Sequence, residues 1–214
     1  MKLYYSPGAC SLSPHIVLNE AGLPFERVKT DTRAKTFEGG GDFWKVNALG
    51  YVPVLELDDG TRLTEGPAIV QWIADQVPAK KLAPPNGTPE RTQLQQWLNF
   101  ISTELHKGFS PLFNQAMPDE AKKIFRDRLG TRFAHVHNHL ASNDYLLGKE
   151  FSVADAYLFT ISNWAARADV DLGPHANVLA YRERVGARPA HSVGMALRAA
   201  RVPGNRRGRR SRRR

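Results

Sequence analysis

In its first part the chain alternates short apolar runs with polar, turn-rich stretches. Leu3-Tyr4-Tyr5 predicts a strand, Ser6-Pro7-Gly8-Ala9 is turn chemistry, and Ser11 to Glu20 predicts a helix stopped by Ala21-Gly22. Phe25 to Lys29 has strand character. Thr30 to Gly50 is polar, carries Gly39-Gly40-Gly41, and reads as a long loop with room for one helical turn. Val52 to Leu57 is an apolar strand entered through Pro53, and Asp58-Asp59-Gly60 is a hairpin turn joining it to Thr61-Arg62-Leu63-Thr64. Glu65-Gly66-Pro67 then opens a helix, with Pro67 at its first position, where a missing N–H costs nothing. The expected order is β-α-β-α-β-β-α.

After Val77 the pattern changes. Pro78, Pro84, Pro85 and Pro89, with Asn86-Gly87, mark residues 78–89 as a linker. Beyond it the apolar positions fall at helical spacing. Leu94, Trp97, Leu98, Ile101 and Leu105 lie within a helix from Glu90 to about Leu112, and Asp119 to Leu140 is a second helix. Tyr145 to Gly148 is an apolar turn. Ser152-Val153-Ala154-Asp155 is a capping box, Asp155 standing in for the usual Glu or Gln. Ala156 to Ala168 is apolar around its whole circumference, so it predicts a buried central helix, and Asn177 to Gly186 is another helix. The expected organisation is residues 1–77 as an α/β domain, 78–89 as linker, 90–189 as an all-helical domain, and 190–214 as an atypical arginine-rich tail expected to be disordered.

Composition changes this picture in two places. The formal charge of +9 is confined to the tail, since nine of the 30 basic residues are arginines within 190–214, a stretch without acids. The other 21 are matched by 21 acids in residues 1–189, so the body gives no reason to expect specific nucleic-acid binding. A change of coding frame is favoured over a nucleic-acid arm, although so basic a tail would hold polyanions nonspecifically at low salt. Cys10 is the single cysteine, which excludes an internal disulfide framework and a cysteine-rich zinc site. It fits a reduced, cytoplasmic setting. No leader-like apolar run opens the chain, and no stretch is long and apolar enough to span a bilayer.

Cys10 lies where a strand hands over to a helix N-terminus. Unpaired N–H groups and the helix dipole there favour the thiolate, so its pKa is expected below about 8.5. The alternative is a small buried hydrophobe. Ser11 either donates to the sulfur or caps the helix, and Tyr5 is a strand residue. His135, His137 and His139 alternate along one helix. His135 and His139 share a face, but with no cysteine or carboxylate nearby they read as surface residues and not as a metal site.

The order of elements, Ser6 to Ser11, Val52-Pro53, Glu65 to Ile69 and the box within Phe151 to Ala156 together resemble a glutathione transferase. That family combines a thioredoxin-like N-terminal domain with an all-helical bundle domain. Asn99 to Lys107 is similar to the bacterial Beta class, which uses cysteine at this position. The resemblance implies a homodimer that joins glutathione, as co-substrate and without a metal, to small hydrophobic electrophiles. Thiol–disulfide or dehalogenating side activity fits the same scaffold. The alternative is a noncatalytic protein that stores glutathione or sequesters apolar ligands.

The resemblance also assigns residues. Cys10 and His106 are the catalytic pair, His106 either hydrogen-bonding the sulfur or relaying a proton. Ala9 adjoins the sulfur site. Val52, before an expected cis-Pro53, offers backbone groups to the cysteinyl part of glutathione as an added strand would. Glu65 pairs with the γ-glutamyl ammonium, and the Gly66 N–H, at a helix start, takes the γ-glutamyl carboxylate. The family usually has Ser or Thr at position 66, so glycine keeps the backbone donor and loses a hydroxyl. Lys35 matches the position for the glycyl carboxylate. Asn99 and Thr103 match positions that reach the ligand from the neighbouring subunit, and Glu104 lies in the same segment.

Overall fold

The computed structural model describes residues 1–190 of the 214. The arginine-rich segment, apart from Ala190, lies outside the described residues.

A six-stranded sheet forms the first half, in the order β4-β3-β2-β1-β5-β6. Its strands are β1 (Lys2–Tyr5), β2 (Glu26–Asp31), β3 (Thr36–Phe37), β4 (Gly41–Asp42), β5 (Val54–Glu56) and β6 (Arg62–Leu63). Only β1 and β2 run parallel, so they need a crossover, and α1 (Leu12–Ala21) supplies it. Gly22, at φ 70, ends that helix in the left-handed conformation that glycine enters without a Cβ penalty. The other pairings are antiparallel.

The region read as a loop, 30–50, differs from expectation. It adds β3 and β4 to the sheet edge and then a 3-10 turn at Phe43–Lys45, so the second helix of the expected order is only that turn. The reason is Phe43, which is fully buried beside Tyr4, Val28, Val46, Val52 and Val54 in a small second core and ties the segment down. The apolar run at 52–57 also begins its ladder late, at Val54, because Pro53 has no N–H to donate. The Val52–Pro53 bond is cis, as expected. Helix α2 (Gly66–Asp75) packs on α1 and starts one residue earlier than predicted, which leaves Pro67 second in its first turn.

From Pro89 onward the described chain is helical. α3 (Pro89–Phe100) runs into a π-helical stretch at Ile101–His106, a short α4 (Lys107–Phe109) and a 3-10 turn to Phe113. α5 (Asp119–His139), α6 (Val153–Ser162) and α7 (Ala176–Gly186) follow. Every residue of α6 is buried, as the all-round apolar pattern predicts, but the helix spans Val153–Ser162 and does not reach Ala168, a 3-10 turn at Ala165–Arg167 following it. The box at its start forms. The Asp155 carboxylate accepts from the Ser152 N–H and hydroxyl at 2.8 Å each, from the Leu146 N–H at 2.9 Å and from the Tyr181 hydroxyl at 3.1 Å. Burial nevertheless outweighs these donors and raises its pKa to about 6. The architecture is thus a thioredoxin-like sheet-and-helix unit followed by a helical bundle.

The two halves share one core, in which α1 packs against α6. Arg91, buried on α3, bonds both Asp75 carboxylate oxygens at 2.8 Å and the Pro84 carbonyl at 2.9 Å, clamping the connecting segment. Arg188 pairs in the same way with Glu20 of α1.

Candidate active site

Cys10 sits in the β1–α1 turn, half-buried, with its thiol donating to the Val52 carbonyl at 3.3 Å. That carbonyl directly precedes the cis-proline. Pro53 in turn faces Gly66, where an added Cβ would lie 4.0 Å from the proline Cγ. Three segments far apart in sequence therefore converge on one sulfur. Their net effect on the thiol runs against the sequence expectation. Desolvation pushes its pKa up to about 11, the Glu65 charge adds to this, and the N–H groups of Cys10 and Ser11 with Lys107 pull the other way without prevailing. The helix N-terminus is present, but the thiol's loss of water outweighs it.

The remaining predicted residues fall into two groups. Ala9 closes the turn, its N–H donating to the Ser6 carbonyl at 3.1 Å. Glu65 stands exposed at the start of α2 with φ 64, a conformation that non-glycine residues rarely adopt and that tends to mark functional positions. Gly66 is the first residue of α2, so its N–H has no intrahelical partner. Lys35 is no freely solvated loop lysine. It also has positive φ, donates to the Gly50 carbonyl at 2.9 Å and lies over the rings of Trp44 and Tyr51 at 5.1 and 5.7 Å. Asn99 and Thr103 are exposed and linked to each other, the threonine hydroxyl donating to the Asn99 carbonyl at 3.0 Å. Glu104 turns away to α5, where Arg132 and Arg128 bind it at 2.6 and 3.0 Å. Those two guanidinium groups, Arg132 first, hold its pKa below the usual carboxylate value.

His106 closes the π-helical stretch. Its Nδ1 lies 2.6 Å from the hydroxyl of Tyr157, and its ring meets that of Trp164 edge-on at 4.9 Å. Trp164 Nε1–H donates to the Gly8 carbonyl at 2.9 Å, so one indole touches both the histidine and the cysteine loop. Desolvation, helped by Lys107, lowers the His106 pKa to about 4, and the imidazole is neutral at pH 7. Phe113, partly exposed, packs edge-on against Trp164 at 5.6 Å and carries Arg167 at 5.7 Å, which makes an aromatic wall beside this cluster.

Two sequence readings are corrected in detail. The Ser11 hydroxyl neither meets the sulfur nor caps α1. It accepts from the Ser6 N–H at 3.1 Å and donates to the Ser6 carbonyl at 3.2 Å, pinning the turn that presents Cys10. His135 and His139 do share a face, but Trp97 lies against both rings, at 5.6 and 4.7 Å. His137 is not a plain surface residue, because its Nδ1 accepts from the Asn177 N–H at 3.3 Å at the start of α7. Tyr157, Trp164 and Phe113 carry no functional signal in the sequence: the first two are aromatics of a run that reads as buried core, and Phe113 lies just past a predicted helix.

Comparison with known proteins agrees with this fold. Residues 8–76 match a family model described as glutathione S-transferase, N-terminal domain, and residues 100–189 match glutathione S-transferase, C-terminal domain. The chain is 44% identical to glutathione S-transferase GstA of Escherichia coli O157:H7, over 88% of this chain and 94% of that one. Among solved structures it is similar to a ternary complex of BphK, a bacterial GST, with 58% identity and a TM-score of 0.90, covering 93% of this chain and 98% of that one. A Beta-class glutathione S-transferase of Sphingomonas chungbukensis matches at 43% identity and a TM-score of 0.90, covering 93% and 99%.

Proposed function

The chain belongs to the glutathione S-transferase family, and on that premise we propose that it conjugates glutathione to small hydrophobic electrophiles at the site around Cys10 and His106. Transferases at this identity speak for catalysis and against the noncatalytic alternative. The observation that carries the site assignment is the Cys10 thiol hydrogen-bonded to the carbonyl of Val52, ahead of cis-Pro53 and beside the N-terminus of α2.

We assign each end of the tripeptide a complement. The cysteinyl backbone pairs with Val52 as an added strand, which displaces the Cys10 thiol from the Val52 carbonyl. The γ-glutamyl carboxylate takes the free Gly66 N–H, and its ammonium faces Glu65. The glycyl carboxylate faces Lys35, already aimed by Gly50, Trp44 and Tyr51. Asn99 and Thr103 serve the ligand of a second subunit in a homodimer, while Glu104 positions their segment by holding α5. We take residues 1–77 as the glutathione domain, 78–89 as linker and 90–189 as the helical domain. No described helix is long and apolar enough to cross a membrane, and a cytoplasmic setting is part of the proposal.

A thiol with a pKa near 11 stays protonated at neutral pH and is a poor nucleophile. The nucleophile is therefore the glutathione sulfur: its thiol proton is lost to solvent, and the S–H of Cys10, released from Val52, donates to the thiolate so formed and stabilises it. That thiolate attacks the electrophilic carbon, a C–S bond forms, and the leaving group departs as an anion. The wall of Phe113 and Trp164 supplies apolar surface for the electrophile. Thiol–disulfide exchange through Cys10 is slow on this reading, because so little thiolate is present. The test is turnover of a chloronitroaromatic with glutathione. Chloride release by the wild type and a reduced but measurable rate in Cys10→Ala are expected. Tight glutathione binding without any turnover by the wild type would overturn the assignment.

A further inference from the structure

His106 offers two ring nitrogens, and the structure commits one of them. Nδ1 is 2.6 Å from the Tyr157 hydroxyl. Tyr157 is itself almost wholly buried, on the central helix α6, and its ring meets the imidazole edge-on at 5.8 Å. The Ser102 side chain also acts on the phenol oxygen in the sense of a donor, lowering the phenol's pKa against the larger effect of burial. Ser102 and His106 belong to the same π-helical stretch, an irregularity that occurs often at functional sites. A phenol oxygen that accepts from Ser102 has its own proton free for Nδ1. Burial also raises the Tyr157 pKa above its ordinary value, so that proton remains on the phenol.

We propose that Tyr157 is a positioning residue for His106: its hydroxyl, oriented by Ser102, donates to Nδ1, fixes the imidazole as the Nε2–H tautomer and leaves Nε2–H as the donor that meets the glutathione sulfur. The proposal rests on reading this site as a glutathione-conjugating one, and it settles the two roles left open for the histidine. A ring with its proton on Nε2 gives a hydrogen bond to a thiolate and cannot take a proton from a thiol at that nitrogen. Trp164, bonded to Gly8 and packed on the same ring, keeps the imidazole beside the cysteine loop. His106 and Cys10 then present two donors to one sulfur.

The test joins a spectroscopic readout to kinetics. Nitrogen-15 shifts of His106 at pH 7 are expected to show a protonated Nε2 and a bare Nδ1 in the wild type. Tyr157→Phe, which keeps the ring and removes the hydroxyl, is expected to mix the tautomers. It is expected to lower kcat by roughly two- to tenfold, the size of one lost neutral hydrogen bond, with little change in KM for glutathione. A wild-type ring protonated at Nδ1 overturns the proposal without any variant, so a Tyr157→Phe protein that fails to fold leaves it decidable. An unchanged tautomer in Tyr157→Phe overturns it also, whatever happens to kcat. Wild type with the Nε2–H tautomer but no turnover sinks the conjugation reading and leaves the Tyr157–His106 arrangement in place.

Discussion

Gly66 stands where the resemblance leads one to expect a Ser or Thr hydroxyl, and Gly66→Ser measures what that hydroxyl is worth. A Cβ built at residue 66 meets nothing nearer than Pro53 Cγ at 4.0 Å, which is ordinary contact, and the residue lies in the first turn of α2 without positive φ. Gly66→Ala is therefore expected to stabilise the fold by about 0.4–1 kcal/mol, through lost freedom of the unfolded chain. Serine adds a hydroxyl beside the one free N–H that we assign to the γ-glutamyl carboxylate. A hydrogen bond to a charged group contributes about 1.5–3 kcal/mol. The site is half-buried, so the lower end applies, and about 1.5 kcal/mol corresponds to about a tenfold lower Kd for glutathione. Calorimetric titration of wild type, alanine and serine proteins separates the two effects, since alanine carries the stability gain and only serine carries the hydroxyl. Serine binding no tighter than alanine would refute the carboxylate assignment. A destabilised alanine variant would refute the reading of free space at Gly66.

Four further outcomes are expected. Alkylation of Cys10 by iodoacetamide in the ligand-free protein should stay slower than that of a free cysteine across neutral pH, because the thiolate forms only near pH 11, and a fast rate at pH 7 would contradict the desolvation argument. The Asp155 carboxyl, raised to about 6 from an unfolded value near 4, contributes stability that is complete below pH 4 and lost as pH rises through 6, so denaturant melts of Asp155→Asn against wild type between pH 4 and 7 should show the variant losing least on the way up. Ser152→Ala and Asp155→Ala should be non-additive in the same melts, given the two bonds between the residues. Removing residues 191–214 should leave conjugation intact and sharply weaken heparin binding, since every proposed glutathione contact precedes them, and loss of turnover by a folded truncate would show otherwise.

The elements themselves were largely legible in the sequence. Alternating apolar runs with Pro and Gly punctuation are local signals, and they fixed β1, α1, the 58–60 hairpin, α2 and the all-round apolar α6. The resemblance added the cis bond at Pro53 and the family. Local pattern failed at 30–50, where the two-residue strands β3 and β4 exist only because β2 and the buried Phe43 hold them. It failed more seriously at the sulfur. Proximity to a helix N-terminus can be read from a sequence, but the burial that raises the Cys10 thiol and the Glu65 charge that adds to it are set by the fold, which brings Val52 and Glu65 to the thiol from more than forty residues away along the chain. The Tyr157–His106 and Trp164–Gly8 contacts are of the same kind, spanning 51 and 156 residues. Periodicity records which face of a helix is buried. It carries no record of which buried hydroxyl meets which ring, because that is set by how α6 packs against α1 and the π-helical stretch, and only the tertiary structure decides it.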